Sequence, residues 1–235
     1  MIIDQTPYSL VMKALCNEAE KVSYAWTKGA RAATKELFKR KTPGSHSFVA
    51  YWTYYTVQES RNTYLLWYSL DEKDIMMGFY LLVVNTKNGD RTFYAKGDSQ
   101  TLYVFTGHFF SRYRERKHYG SSMTTEELVI RFLDKNIPGM EMLDLSKLNR
   151  NASSYKNGIA VDFAEGVAFA SMPPRSAENA NFTYLKFNTF LSFEELHENQ
   201  MEASPRGSYK VQVHQSQKSL FLATNGFAPL SGSFK

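Results

Sequence analysis

The chain holds a single cysteine, Cys16, in 235 residues. That excludes an intramolecular disulfide and a thiolate zinc cage, and it suits a reducing compartment. Long apolar runs are also missing. The best of them, Ile75 to Val84, is about half of what a membrane-spanning helix needs, so no membrane association is expected. The segment Met1-Ile2-Ile3-Asp4-Gln5-Thr6-Pro7 lacks a basic start, an apolar stretch and a small-residue cleavage site, so the expected setting is cytoplasmic. Charge of one sign is in short excess: 28 Lys plus Arg against 23 Asp plus Glu leave +5. A balance this small does not by itself identify a nucleic-acid partner. Common catalytic signatures are absent too: no G-x-x-x-x-G-K-[ST], no G-x-G-x-x-G, no G-x-S-x-G and no H-E-x-x-H. No cofactor and no metal are expected.

What the chain has in abundance is aromatic side chains, with 15 Tyr, 17 Phe and 3 Trp. Tyr and Phe favour strands and large packed faces, and Tyr also stacks on bases. Residues 7 to 41 carry a 3.6-residue apolar period through Leu10, Val11, Ala14, Leu15, Val22, Ala25 and Trp26, with Thr6 as a cap, Pro7 in the first turn and Gly29 as a point of division into two helices. Cys16 falls in the apolar stripe and is expected to pack. The second half of the stretch is basic, since Lys28, Arg31, Lys35 and Lys39 step by three and four and Arg40 and Lys41 follow. One face of that helix therefore either is simply solvated or meets phosphates.

From Phe48 to Phe105 the pattern changes to aromatic and β-branched runs separated by turn residues. It predicts strands at 51–57, 63–70, 76–85, 91–95 and 102–105 in an antiparallel meander. Helical periods return at 107–119 and 124–135, the second opened by Thr124 with Glu126 and Glu127 behind it. An Asn- and Ser-rich loop over 149–157 precedes strands at 159–163, 167–171 and 182–190. A short helix at 193–201 opens at Ser192, and two short strands at 209–213 and 220–224 lie in a polar tail. The expectation is a mostly antiparallel α+β fold. Residues 1–200 form one body (1–44 helical, 51–106 meander, 107–136 helix pair, 155–200 strands and short helix), and 201–235 form a partly mobile extension.

The clearest chemical constellation is Gly107-His108-Phe109-Phe110-Ser111-Arg112-Tyr113-Arg114-Glu115-Arg116. At about 100° per residue, His108, Arg112 and Arg116 lie on one side of a helix and Phe109, Tyr113 and Phe110 on the adjacent one. An imidazole at a helix start beside two guanidiniums suits phosphodiester chemistry, because His moves a proton near neutral pH and Arg holds phosphate. The same residues also make an ordinary surface helix if Glu115 pairs with one of the arginines.

The run H-x3-R-x2-E-R, followed by a capped helix and three strands, resembles the small RNase-like domains of the barnase, EndoU, colicin-D and RelE-like group over about residues 107–190. That resemblance implies metal-independent RNA cleavage by 2′-hydroxyl attack, with His108 as acid or base, Arg112 and Arg116 on phosphate, and Thr189 as a supporting donor. Lys28, Arg31, Lys35 and Lys39 would then attract RNA or another nucleic acid. The reading from another class is a non-enzymatic interaction or assembly protein of a phage or mobile element, with a protein partner or a homo-oligomeric state. Two E-x-x-H spacings, Glu115 to His118 and Glu194 to His197, match half of a di-iron signature but lack the helical frame it requires.

Overall fold

The structure, a computed structural model, describes residues 1–41, 49–70, 76–97, 101–136, 141–143, 158–172 and 182–195. It opens with one helix, α1 (Tyr8–Arg40), of 33 residues. Val11, Leu15, Val22, Trp26, Ala33 and Leu37 recur at helical spacing and are all buried, which is the stripe that docks α1 on a sheet. Pro7 is the N-cap and no side chain caps it; the Thr6 hydroxyl instead accepts the Ile3 N–H at 2.9 Å. Gly29 does not divide the helix. The Tyr68 hydroxyl donates to the Trp26 carbonyl at 2.8 Å, and a Cβ on Gly29 would come within 2.5 Å of that oxygen. Close approach of a buried ring, rather than a break, explains this glycine. Cys16, expected to pack, is exposed instead, because it lies at the margin of the buried stripe.

Among the described residues nine strands form one sheet: β1 (Ala50–Thr56), β2 (Thr63–Leu70), β3 (Met76–Asn85), β4 (Arg91–Lys96), β5 (Thr101–Phe105), β6 (Glu141–Leu143), β7 (Gly158–Phe163), β8 (Gly166–Ser171) and β9 (Thr183–Ser192). Their order is β1-β2-β3-β4-β5-β9-β8-β7-β6. Two antiparallel meanders thus meet at a single parallel pair, β5 with β9. Between β5 and β6 the chain forms α2 (Gly107–Arg116) and α3 (Thr125–Asn136). The mixed, mostly antiparallel fold agrees with the aromatic and β-branched patterning. The three-residue β6 carries no such pattern and was not expected. Of the helix expected at 193–201, a 3₁₀ turn over Phe193–Glu195 is described; the rest of it, the 149–157 loop and the tail strands lie outside the described residues.

Alternation along the strands sorts side chains to two faces. On β2, Tyr64 and Tyr68 meet α1, with the Tyr64 hydroxyl on Glu18 at 2.6 Å, while Ser69 reaches Asp134 of α3 at 3.1 Å. Helix α1 therefore covers one face, and α2 and α3 cover the other. The α2 side is filled with rings. Phe105 and Phe187 stack across the parallel pair at 4.7 Å. Phe132 sits 5.1 Å from Phe109, 5.0 Å from Tyr113 and 5.2 Å from Phe163, all edge to face. Under α1, Glu18 is buried yet satisfied, since Asn62 also donates to it at 2.9 Å.

Candidate nucleic-acid interface

The outer surface of α1 follows from the same period that buries its inner stripe. Lys28, Arg31, Lys35 and Lys39 are all exposed, about 180° around the helix from Trp26, Ala33 and Leu37. Two large rings share that surface, Tyr24 at 71% and Phe38 at 52% exposure. Lys39 is held by Glu36 at 2.8 Å, a solvated pair worth little. Among the described residues Lys28, Arg31 and Lys35 have no ion-pair partner. Four cations thus occupy one side of roughly three helical turns in the carboxyl-terminal half of α1, and the helix dipole favours the last of them, Lys39.

The α2 stripe is arranged differently. Thr106 caps α2 by accepting the Phe109 N–H at 3.2 Å and donates to the Phe187 carbonyl at 3.3 Å. That fixes the helix on the parallel pair and buries Phe109, Phe110 and Tyr113. His108 is exposed at the first turn. Arg112 pairs with Glu115 at 2.8 Å, as an ordinary surface helix would have it. Arg116 pairs with Glu195 of the 3₁₀ turn, and the same carboxylate accepts from the Ser192 N–H at 3.2 Å. Thr189 is on the other side of the sheet. Phe187 pairs with Ala170 and Thr189 with Phe169, so Asn188 is an extra residue in β9. Phe190, which packs on Tyr113, faces α2, and its strand neighbour Thr189 faces away. The structure therefore brings His108, Arg112 and Arg116 onto one helix but not Thr189 beside them.

Three constellations escaped sequence reasoning because their members come from remote segments. In the first, Glu165, in the turn between β7 and β8, accepts from the Tyr113 hydroxyl at 2.5 Å and from Asn136 at 2.8 Å. Its own N–H donates to Asn136 Oδ1 at 3.1 Å. Burial, reinforced by the Glu165 charge, raises the Tyr113 phenol far above its usual range, so it remains a proton donor that ties this turn to α2 and α3. In the second, Glu126 accepts from Tyr54 and from Arg91, which joins α3 to β1 and β4. Burial opposes ionisation of Glu126, but hydrogen bonds from Tyr54, the backbone and Arg91 outweigh it and lower its pKa. Burial and the Glu126 carboxylate push the Tyr54 phenol up to about 12.

The third is a cavity of about 360 Å³ at the open end of the sheet, lined by Arg40, Val49, Ala50, Trp52, Met123, Glu127 and Arg131. Its charged groups already have protein partners. Arg40 donates to the Ala50 carbonyl at 3.1 Å, Arg131 donates to Tyr119 at 2.9 Å, and Glu127 accepts from Thr124 in a capping box. Arg40, the last residue of α1, reaches this cavity from the side of the helix turned toward the sheet. No group of three or more His, Cys, Asp or Glu suited to a metal ion occurs among the described residues. No helix among them is long and apolar enough to cross a membrane. Comparison with known proteins gives no relative to reason from: no family model, no curated protein and no solved structure matches this chain.

Proposed function

We propose that this protein binds single-stranded nucleic acid along the outer surface of α1, through its phosphates and without reading sequence. The observation that carries the reading is the exposed row of Lys28, Arg31, Lys35 and Lys39 with Tyr24 and Phe38 on the same side of the helix. Cations along a backbone supply affinity through counterion release, and exposed rings accept unpaired bases of any identity. The row extends about 16 Å from Lys28 to Lys39 at ~1.5 Å per residue, long enough to follow several phosphates. The α2 stripe supports cleavage less well than the α1 surface supports binding, because both of its guanidiniums are already held by carboxylates.

The test is the salt dependence of binding to a labelled single-stranded RNA and a matched single-stranded DNA. Removing Lys28, Arg31 and Lys35 together by substitution with alanine is expected to weaken binding to both strands alike. It should also reduce the slope of log K against log salt by roughly 0.7 for each phosphate no longer neutralised. Binding and slope unchanged in this triple variant would overturn the proposal. The same strands incubated in EDTA with the parent and with His108→Ala report separately on cleavage: scission that depends on His108 would move the activity to α2.

A further inference from the structure

Among the described residues the sheet has two edges, and they are built differently. One edge, β6, is three residues long and contains Glu141. The other, β1, has the sequence Ala-Tyr-Trp-Thr-Tyr-Tyr-Thr. It has no charge, no proline and no glycine, and its register with β2 is unbroken from Ala50↔Ser69 to Thr56↔Thr63. Folded proteins ordinarily protect an edge with charge, proline, a bulge or extreme shortness. Shortness is used at β6; within the β1 sequence none of the four is used, and only Arg40 of α1 reaches the edge, at Ala50.

The hydrogen bonds show which backbone groups of β1 point outward. Val57 N–H donates to the Asn62 carbonyl across the β2 side at 2.9 Å, whereas the Ala50 carbonyl receives Arg40 from outside the sheet. Odd-numbered residues therefore bond to β2, and the even-numbered Ala50, Trp52, Tyr54 and Thr56 turn their N–H and C=O groups away from it. Among the described residues only the Ala50 carbonyl of that outward row has a partner.

We propose that β1 pairs antiparallel with β1 of a second copy of this chain, about a two-fold axis at Thr53, to give one continuous sheet. That register sets Trp52 of each copy opposite Tyr54 of the other and Tyr51 opposite Tyr55. Every hydrogen-bonded pair then joins two outward-facing residues, as the geometry of an antiparallel ladder demands. A shift of one residue would instead match outward groups with inward ones. The cross-strand partners are aromatic on both faces, which is favourable in a sheet, and no like charges are opposed within the strand. An edge of seven residues is about 23 Å long at ~3.3 Å each, and with its rings it covers roughly 500 Å² per copy, below the standard for stable complexes. The dimer is therefore weak and concentration-dependent. Because the axis stands perpendicular to the sheet, both α1 helices lie on the same side of the assembly.

The experiment measures mass in solution by light scattering between about 1 and 200 µM, a range that brackets a micromolar dissociation constant. Three versions of the full chain are compared. The parent is expected to pass from monomer to dimer. Thr53→Glu and Thr53→Lys each oppose two like charges across the axis, and each is expected to dimerise at least about tenfold more weakly. An equal mixture of the two should regain a dimer. In a Cys16→Ser background, Thr53→Cys should give a disulfide-linked dimer on mild oxidation, since residues opposed in a non-hydrogen-bonded pair are close enough for one. Thr56→Cys, although more exposed, should cross-link much more slowly. A parent that stays monomeric, or Glu and Lys variants that dimerise like the parent or fail to complement each other, would overturn the proposal.

Discussion

At the scale of single residues, Gly29 shows how a buried hydroxyl can override helix propensity. Alanine is the better helix former by about 1 kcal/mol, yet its Cβ would press on the Tyr68 oxygen at 2.5 Å, and that ring is fully buried against Trp26. Gly29→Ala is therefore expected to lower stability by about 1–2 kcal/mol. In a Tyr68→Phe background, where the obstructing oxygen is gone, the same substitution should become neutral or favourable. Urea denaturation of the two single variants and the double variant measures this coupling, and strictly additive effects would refute the account. Sequence spacing could not reveal this contact, because Gly29 and Tyr68 belong to different elements. The same limit applies at Glu165, whose partners Tyr113 and Asn136 come from two other segments. Spacing did place His108, Arg112 and Arg116 on one side of α2, since that is a property of the helix alone. It could not show that Glu195, 79 residues further on, would hold Arg116.

At the scale of elements, the Tyr54–Arg91–Glu126 group joins two strands of the first meander to the start of α3. The carboxyl of Glu126 has a lower pKa in the folded chain than the ordinary ~4.3 of the unfolded one. Its contribution is thus complete above the unfolded value and disappears as the pH falls through the folded value. Glu126→Gln is expected to cost about 1–2 kcal/mol at neutral pH, typical for losing hydrogen bonds to a charged group. The gap between parent and variant should close below about pH 4. Urea midpoints taken from pH 3 to 7 check this, and a gap that persists undiminished at pH 3 would contradict it. Most strands were legible as elements because aromatic and β-branched residues alternate between turn residues; β2 and β3 fall at their expected limits. The bulge at Asn188 was not legible, since an extra residue in one strand is defined only by its neighbour's register. That single residue moves Thr189 to the face away from α2.

At the scale of the whole molecule, the parallel pair β5–β9 joins the two meanders, and its rings belong to one cluster with those of α2 and α3. Phe105, stacked on Phe187 and near Phe109, Phe110 and Phe132, lies at the centre of that cluster. Phe105→Ala is expected to destabilise by about 3–5 kcal/mol. Amide exchange should quicken in β2 and β3 as well as in β7 and β8, which lie on opposite sides of the pair. Faster exchange confined to one meander would show that the halves are energetically separate. No local pattern announces this pairing, since Phe105 and Thr183 are far apart in the chain and parallel partners share no turn. The consequence reaches back to translation. A ribosome adds about 5–20 residues each second, so roughly 4–16 s pass between completion of β5 and the emergence of its neighbour β9. Throughout that interval the newborn first meander shows a raw apolar flank to water, and chaperone dependence of the yield is the trait this topology leads one to look for.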